Sequence, residues 1–436
     1  MSVKDRKNTQ RERLLAGMLH ASLRHGYAEA SVTRTIVHAG VSRPTFYDYF
    51  KDKDDCFLAV QDESSERLIA HVKRAVADSD PARAVQAGVR AIATFAEADP
   101  DAARFLAEEA IAGGQRALDR RKRTIAEIEL AIEQARAQTP ARAPTPDLPT
   151  GALIGGLHWL LAPVLRRGER DLTALARDVE AWIDTYLAPT DTHRWRTLEP
   201  GPSIAPSTHV SDLPREAPRP LPPGRPRISA AEVARNQRDR ILYATAIVAA
   251  RKGYTATRVA DIASAAKLDR RVFYNHFPDK RQAFLAVHEF ALRHAMTLAA
   301  GAFFSAATWP ERIWEGIRAS CQFGAGYPVA THIAFVESHA VGAPAVRRIE
   351  DSHAAFTIFL HEGFQHTTKP PPQIALQAIV ATIFEIGYRQ ALDHNSEMMP
   401  RLAGHATYLA LTPFLGPQAA NEFIDGKLQA TRATDG

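Results

Sequence analysis

The sequence predicts an all-α protein made of two related halves. Two observations predict the fold class: apolar residues recur at helical spacing, and no run of alternating β-branched residues indicates a sheet. A third, an internal resemblance at an offset of 227 residues, predicts the two halves. Of the 436 residues, 45% are hydrophobic and 24% are charged, which excludes an intrinsically disordered chain.

Composition also excludes three other classes of protein. Two cysteines, Cys56 and Cys321, are too few for a disulfide framework or a four-cysteine zinc site, so we expect a reducing, cytoplasmic location. The N-terminus is charged and lacks the apolar core of a signal peptide. The longest apolar stretch, 151–165, is too short to cross a bilayer, and no membrane contact is expected.

The internal resemblance is a duplication of a whole domain. Between 10–60 and 237–287, 19 of 51 aligned positions are identical without a gap. This offset is far longer than the 20–50 residues of a solenoid repeat. The identical pairs include Gly26/Gly253, Tyr27/Tyr254, Arg43/Arg270, Phe46/Phe273, Tyr47/Tyr274 and Lys53/Lys280.

The first helix of each half is predicted from one apolar face. Residues three and four apart lie on the same side of a helix, so an apolar stripe at that spacing packs on a core. The stripe consists of Leu14, Leu15, Met18, Leu19, Ser22 and Leu23 in the first half, and of Ile241, Leu242, Thr245, Ala246, Val248 and Ala249 in the second.

Two short helices with a tight turn follow in the first half. Ser31 is expected to cap a helix over 32–38, and Gly40 to supply the positive φ of the turn. Ser42 is expected to cap a second helix over 43–49. Two helices joined by a glycine turn are typical of a helix-turn-helix, whose second helix enters the major groove of DNA.

The second short helix carries side chains suited to DNA. Phe46 and Phe50, four residues apart, are expected to anchor it to the core, and Asp52 to cap the next helix. Arginine can read guanine through two hydrogen bonds, whereas Thr, Tyr and Lys more often contact phosphates. The free faces carry Arg43, Thr45, Tyr47, Asp48 and Tyr49.

A pattern over 32–57 carries a resemblance to a known family. It reads V-x-x-x-I-x-x-A-G-V-S-x-x-T-F-Y-x-Y-F-x-x-K-x-x-C-F, and it resembles the DNA-binding domain of TetR-type bacterial transcription regulators. The resemblance implies a three-helix DNA-binding domain, joined through a fourth helix to a larger helical ligand domain. It also implies dimers formed through the last two helices. On this resemblance the DNA contacts would fall on Arg43, Thr45, Tyr47, Tyr49 and Lys53.

The second copy departs from this pattern. Lys267 stands where the first copy has Gly40, so its turn must accept a Cβ, and Asp269 replaces Ser42 as the cap. One alternative is that this copy keeps the fold without binding DNA. Its DNA-contact candidates are Arg270, Arg271, Tyr274, Asn275, His276 and Lys280.

Positive charge is concentrated in the same two stretches. Residues 1–56 carry +3 and residues 225–281 carry +8, although the whole chain carries only +5. Such asymmetry indicates a polyanionic partner, although basic runs are also common as solvated surface. The Gly-Arg-Pro segment within 223–227 resembles a minor-groove arm, with a plain linker end as the alternative.

The linker and the motifs predict five segments. Residues 188–227 hold ten of the 28 prolines, so an extended linker is expected there, and the Pro-rich 139–151 is expected to be a loop. The segments are a first helix-turn-helix domain at 1–56, a regulatory and dimerisation domain at 57–187, the linker at 188–227, a second helix-turn-helix domain at 228–284, and a second regulatory domain at 285–430.

The second regulatory domain is richer in aromatic residues. Fourteen lie between 297 and 415, against five between 70 and 187. Most aromatics at helical spacing are core, but the excess favours a roomy pocket for an apolar or aromatic effector. The candidate lining residues are Phe304, Trp314, Phe323, Tyr327, Phe335, Phe356, Phe359 and Phe384.

No metal site or cofactor is predicted. The histidines of the second half lack metal-ligand spacing with cysteines or carboxylates, and solvated or hydrogen-bonded histidine is the ordinary alternative. They are His332, His339, His353, His361 and His366.

Wide apolar faces lie at the positions of the family's last two helices. They occupy 150–166 with 172–187, and 373–392 with 402–415. Because one chain holds both partners of the usual two-fold interface, we predict an intramolecular pseudo-dimer, with a homodimer of chains as the alternative.

These expectations together predict a transcriptional regulator that binds double-stranded DNA. A repressor released by a small effector is the favoured interpretation, and an activator stays open. An effector-independent architectural DNA-binding protein is one alternative. An all-helical enzyme is another, although the sequence has no phosphate loop, G-x-S-x-G or H-E-x-x-H motif.

Overall fold

The computed structural model describes residues 3–140, 143–168, 171–195, 218–221 and 228–434. Helices hold 81% of these residues, which confirms the all-α prediction. The Gly-Arg-Pro segment of 223–227 and most of the Pro-rich linker lie outside the described residues.

The first copy contains ten α-helices among its described residues. A π-helical turn, Phe105–Glu109, follows the sixth, and 3-10 turns lie at Pro81–Arg83, Asp184–Tyr186 and Thr190–Thr192. The helices are α1 Val3–His25, α2 Val32–Ala39, α3 Arg43–Tyr47, α4 Lys53–Ala77, α5 Ala84–Ala98, α6 Pro100–Arg104, α7 Ala110–Ala112, α8 Gln115–Arg136, α9 Thr150–Arg166 and α10 Leu172–Ile183.

The second copy has a similar order, with eleven α-helices among its described residues. A π-helical turn, Ile333–Glu337, again follows a short helix, and 3-10 turns lie at Ile358–His366 and Ser396–Leu402. The helices are α11 Ala230–Lys252, α12 Val259–Ala265, α13 Arg270–His276, α14 Lys280–Ser305, α15 Trp309–Gly326, α16 Pro328–His332, α17 Ser338–Val341, α18 Ala343–Thr357, α19 Ile374–Leu392, α20 Ala403–Leu415 and α21 Pro417–Thr434.

A short two-stranded ribbon was not predicted. Strand β1, Pro144–Pro146, pairs antiparallel with β2, Leu187–Pro189, inside the segment expected to be a loop and at the start of the expected linker. Three-residue strands that contain proline carry no alternating apolar signal, so only the approach of the two segments in the folded chain creates them.

The chain forms two compact units. The first consists of Met1–Thr197, His366–Glu385 and Thr412–Ala419, and the second of Leu198–Gln365, Ile386–Leu411 and Ala420–Gly436. Part of the second sequence copy, including the first two thirds of α19, therefore belongs to the first unit.

Each helix-turn-helix has its own apolar core. In the first unit, Leu14 and Met18 of α1 pack with Phe46 and with Phe57 of α4. The Phe57 ring also contacts the ring of Phe105 in the π-helical turn. In the second unit, the core is Ile241, Ala244, Ile262, Ala266, Phe273, Phe277 and Ala283. These are the faces that the apolar stripes predicted.

Candidate nucleic-acid interface

The caps that shape the first helix-turn-helix are those that the sequence predicts. The Ser31 side chain accepts a hydrogen bond from the Arg34 amide at the start of α2, and Gly40 ends that helix with φ 61°. Ser42 accepts from the Thr45 amide at the start of α3. Each polar cap satisfies an orphan amide, so α2 and α3 begin and end at fixed residues.

The outer face of α3 presents charge and aromatic surface to solvent. Phe46 is fully buried and fixes the rotation of the helix. That rotation leaves Arg43 exposed and the Tyr47 ring 49% exposed. Thr45 is half-buried, with its hydroxyl 2.7 Å from that of Ser42. An exposed guanidinium beside an exposed phenol is a surface that can contact bases and phosphates.

Two predicted contact residues are already bonded within the protein. The Tyr49 hydroxyl donates to Gln10 Oε1 at 3.1 Å. Lys53 Nζ donates to the carbonyls of Tyr27 and Ala28, at 3.0 and 3.5 Å, and lies 4.4 Å from the centre of the Tyr27 ring. Each helix-turn-helix domain, from its first helix to the start of its fourth, is called a head below. Both side chains therefore hold the first head together in the unbound protein. Their contacts with DNA stay a prediction.

The second head exposes a larger cationic face. Arg270, Arg271 and Asn275 are exposed, and the Tyr274 ring is 50% exposed, while Phe273 is fully buried. The substitutions in this copy thus enlarge the polar face and leave the buried anchor in place. Two adjacent arginines give α13 more positive charge than α3 has.

Two residues of the second head repeat the internal bonds of the first. His276 Nε2 lies 3.2 Å from Gln237 Oε1, as Tyr49 bonds Gln10 in the first copy. Lys280 Nζ donates to the carbonyls of Tyr254, Thr255 and Thr257, and burial lowers the pKa of this ammonium. In each head a lysine thus bonds the backbone of the loop that precedes the first short helix, α2 in the first head and α12 in the second.

The turn of the second head carries backbone strain. Lys267 has φ 54°, in the left-handed region that Gly40 occupies in the first copy. A clamp that sequence reasoning missed holds both turns. Arg13 donates to Gly40 O at 2.7 Å, and Arg240 donates to the carbonyls of Ala266 and Lys267 at 2.6 and 2.8 Å. The signal was present, because Arg13 and Arg240 are identical at the 227-residue offset.

Lys267→Gly should stabilise the second head. A left-handed φ costs a residue with a Cβ more than glycine loses in chain entropy, so we expect a gain of about 0.5–1 kcal/mol. Urea unfolding of the full chain measures it. The matched control, Gly40→Ala, should destabilise instead, because its Cβ would lie 2.7 Å from Arg13 Nη2. A loss of stability in Lys267→Gly would contradict the strain argument.

A glutamate ties each head to the π-helical turn of its own copy. Glu109 Oε2 accepts a hydrogen bond from the Tyr27 amide at 2.8 Å, and Glu337 Oε2 accepts from the Tyr254 amide at 2.6 Å. Both glutamates end a π-helical turn, a feature frequent at functional sites. Sequence reasoning missed this pair, because it lies beyond the stretch that aligns without gaps.

Burial perturbs the groups around the first of these bonds. Burial, with a smaller contribution from Glu108, raises the pKa of Glu109 to about 7, although the Tyr27 amide opposes the shift. Burial and the hydrogen bond to Asp54 raise the pKa of the Tyr27 hydroxyl. Glu109 therefore titrates near neutral pH, while Tyr27 stays protonated.

An apolar cavity lies in the first unit, against the π-helical turn. The cavity is open to solvent, and its atom-free space, with the solvent at the mouth included, is about 720 Å³; α4, α5, α8 and α9 bound it. Leu106, Ala107 and Ala110 line it, and Glu109 lies on the same stretch of chain. The cavity wall and the bond to the Tyr27 amide thus share one short element.

The predicted aromatic residues of the second copy are divided. The rings of Phe323 and Tyr327 pack at a tilt in a small core, with their centres 5.1 Å apart, and the ring centres of Phe356 and Phe359 are 6.0 Å apart. Trp314 is buried, and Phe335 is half-buried. These six residues lie in the second unit.

The two remaining candidates lie elsewhere. Phe304 is 73% exposed and lies on the surface of α14. Phe384 is half-buried and belongs to the part of α19 that is in the first unit. The structure thus places seven of the eight candidates in the second unit, and their role as an effector site stays a prediction.

No group of three or more His, Cys, Asp or Glu side chains among the described residues could hold a metal ion. No helix in this part of the chain is long and apolar enough to cross a membrane.

Comparison with known proteins matches both heads to one family. Residues 21–60 and 241–287 match the family described as "Bacterial regulatory proteins, tetR family". The matches cover both helix-turn-helix units, which the structure shows with exposed outer faces. The chain belongs to the TetR family of regulators. It carries two tandem copies of the family's DNA-binding domain.

Three solved structures are similar to parts of this TetR-family regulator. A regulatory protein of the tetR family from Rhodococcus RHA1 is 18% identical, with 40% of this chain and 96% of that chain covered and a TM-score of 0.34. The fatty acid degradation regulator FadR from Bacillus halodurans is 18% identical, with 40% and 94% covered and a TM-score of 0.36. A TetR family transcription regulator from Marinobacter aquaeolei VT8 is 22% identical, with 39% and 94% covered and a TM-score of 0.33.

No curated protein matches the regulator. The family assignment therefore depends on the two sequence matches.

Proposed function

We propose that this regulator is a ligand-controlled transcriptional repressor that reads two unlike half-sites with one chain. The observation that carries the proposal is the pair of exposed faces, with Arg43 and Tyr47 on α3 and Arg270 and Tyr274 on α13. Recognition helices of paired heads read half-sites about one helical turn (~34 Å) apart. Because the two faces differ in sequence, the operator would be an imperfect palindrome.

Selection of bound DNA from a random pool tests this proposal. We expect two distinct half-sites at a fixed spacing. A single half-site would mean that one head is silent. Sequences without preference, combined with a steep salt dependence of binding, would indicate the architectural alternative.

We propose that the two copies form a pseudo-dimer within one chain. Residues 366–385 of the second copy belong to the compact unit of the first. Arg121 Nη2 lies 2.9 Å from Glu385 Oε2, and the Glu385 side chain has no exposed surface. A Cβ on Gly156 of α9 would lie 3.1 Å from the Ala381 backbone, so this glycine permits close helix packing. Light scattering of the purified protein should give the 47.9 kDa of one chain; twice that mass would indicate a dimer of chains.

We propose that an effector acts through the cavity of the first copy. Its wall includes Leu106 and Ala107 of the π-helical turn, and Glu109 of the same turn bonds the Tyr27 amide in the head. A ligand that favours another arrangement of this turn would shift the position of the head and disfavour the DNA-bound state. This proposal adds a first-copy site to the aromatic second-copy site expected from the sequence.

The titration of Glu109 should appear in the pH dependence of stability. Its pKa is raised to about 7 in the folded protein, above its ordinary value of 4.5, so the folded state binds the extra proton. Stability is then highest at acid pH and is lost as the pH rises from about 4.5 through 7. Between pH 5 and pH 8 we expect a loss on the order of 1–3 kcal/mol from this group.

Glu109→Gln should remove this loss, because a glutamine carbonyl still accepts from the Tyr27 amide but does not titrate. Urea unfolding at several pH values measures it. Glu108→Gln is the control and should keep most of the loss, since Glu108 does not bond the head and makes only a smaller contribution to the raised pKa of Glu109. An unchanged pH profile in Glu109→Gln would contradict the assignment.

We propose a DNA-binding role rather than a catalytic one, because both recognition helices present exposed arginine and tyrosine side chains on their outer faces. A repressor must reach chromosomal DNA, so we also propose a cytoplasmic location. Loss of DNA binding with no change in abundance, when both faces are substituted, supports this role.

A further inference from the structure

The cavity of the first unit has an apolar wall with a small polar part. Leucine, isoleucine, phenylalanine and alanine side chains from α4, α5, α8, α9 and the stretch 103–110 form most of the lining. The polar side chains on the wall are Gln61, Ser65, Arg121, Thr124 and His158. A few polar groups in an apolar cavity orient a ligand and set its specificity.

The positive charge on this wall is already neutralised. Both terminal nitrogens of Arg121 lie near the Glu385 carboxylate, at 3.1 and 2.9 Å, and Nη2 also donates to Gly155 O at 2.8 Å. A ligand carboxylate that took Arg121 would leave Glu385 buried without its partner, which is strongly unfavourable. The site therefore disfavours an anionic ligand.

Two other polar atoms on the wall are unsatisfied. Gln61 is 1% exposed and Ser65 is 6% exposed, and they lie one turn apart on α4. Gln61 Nε2 donates to Ala117 O at 2.9 Å, but Gln61 Oε1 and Ser65 Oγ have no hydrogen-bond partner among the described residues. An unsatisfied buried polar atom is costly, so these atoms favour a bound group that completes them.

A single hydroxyl group on a ligand can form hydrogen bonds with both Gln61 Oε1 and Ser65 Oγ. An amide oxygen only accepts a hydrogen bond, whereas a serine hydroxyl can donate one. A ligand hydroxyl can donate to Gln61 Oε1 and accept from Ser65 Oγ, because side chains four apart on a helix are neighbours. Thr124 does not compete, since its hydroxyl donates to Arg120 O.

The geometry points to a neutral, largely apolar alcohol or phenol as the ligand of this cavity, with its hydroxyl between Gln61 and Ser65. The inference deepens the proposed function, since it takes the cavity to be the effector site and names the chemical class of the effector.

Calorimetry of the full chain without DNA tests the ligand class with three matched probes. 4-Butylphenol carries the hydroxyl, butylbenzene lacks it, and 4-butylbenzoate replaces it with a negative charge. We expect 4-butylphenol to bind about tenfold or more tighter than either of the others, because one well-made buried hydrogen bond contributes about that factor. Equal binding of butylbenzene, tighter binding of the benzoate, or no binding of any probe would overturn the proposal.

Variants locate the hydroxyl. Gln61→Met and Ser65→Ala should each remove most of the preference for 4-butylphenol over butylbenzene. The control is Gln86→Met, because Gln86 is also buried, also donates through Nε2, and also has an Oε1 without a partner among the described residues, but it does not line the cavity. Ser65→Ala keeps the test valid if Gln61→Met does not fold. A preference that survives both cavity variants would also overturn the proposal.

Release of DNA by the same probes separates the ligand class from the effector role. If 4-butylphenol binds with the expected dependence on Gln61 but leaves the DNA complex intact, the effector role fails and the ligand class stands. If 4-butylbenzoate, and not 4-butylphenol, binds in the cavity and releases the DNA, the effector role stands and the ligand class fails.

Discussion

Replacing Glu385 with alanine is expected to lower the free energy of unfolding by about 3–5 kcal/mol, because it leaves a buried guanidinium without its partner. The Arg121 side chain is 11% exposed and that of Glu385 is not exposed at all. Glu385 is also the last residue of 366–385, one of the two second-copy segments that belong to the first unit. Urea unfolding and light scattering of the same variant measure stability and association together.

The control for Glu385→Ala is Glu127→Ala. Glu127 pairs with Lys73 at 3.1 Å, but both side chains are about half exposed, so its loss should cost less than about 1 kcal/mol. Replacing Arg121 and Glu385 together, with Met and Leu, should recover much of the lost stability, because it removes both buried charges. A single-variant loss no larger than that of the control would mean that this pair does not stabilise the packing of the two copies.

Removing the outer face of either recognition helix is expected to weaken binding to the selected operator by 100-fold or more. Two tethered heads gain affinity because the second contact is intramolecular, and that gain is lost when one head is silent. The first variant is Arg43→Ala with Tyr47→Ala, and the second is Arg270→Ala with Tyr274→Ala. Fluorescence anisotropy with the whole operator and with each half-site measures the effect.

Each variant should leave the half-site of the intact head unaffected. Arg347→Ala is the control, because it removes an exposed arginine from α18, outside both heads. If the second variant binds the whole operator like the unmodified protein, the second copy keeps its fold without reading DNA, which is the alternative raised by its sequence. If both variants bind normally, the DNA surface lies elsewhere.

Local signals in the sequence predicted most of each head. Ser31, Ser42 and Asp52 cap their helices as expected, because a cap depends on residues three positions away. The positive φ at Gly40 and its repetition at Lys267 follow from the same short turn. The predicted second helix over 43–49 ends earlier in the structure, at Tyr47. Helix ends depend on the packing of the following turn and are less well determined by sequence.

The sequence by itself determined the fold class, the duplication and the two amphipathic recognition helices, because those depend on spacing within a few residues and on comparison of one half with the other. Only the tertiary structure decided which side chains meet over long separations. The bond of Glu109 to the Tyr27 amide spans 82 residues, and the contact of Arg121 with Glu385 spans 264. No local pattern specifies such contacts, since they require the helices to be packed before the partners are neighbours. The cavity and its unsatisfied polar pair arise in the same way, from the shape left between packed helices.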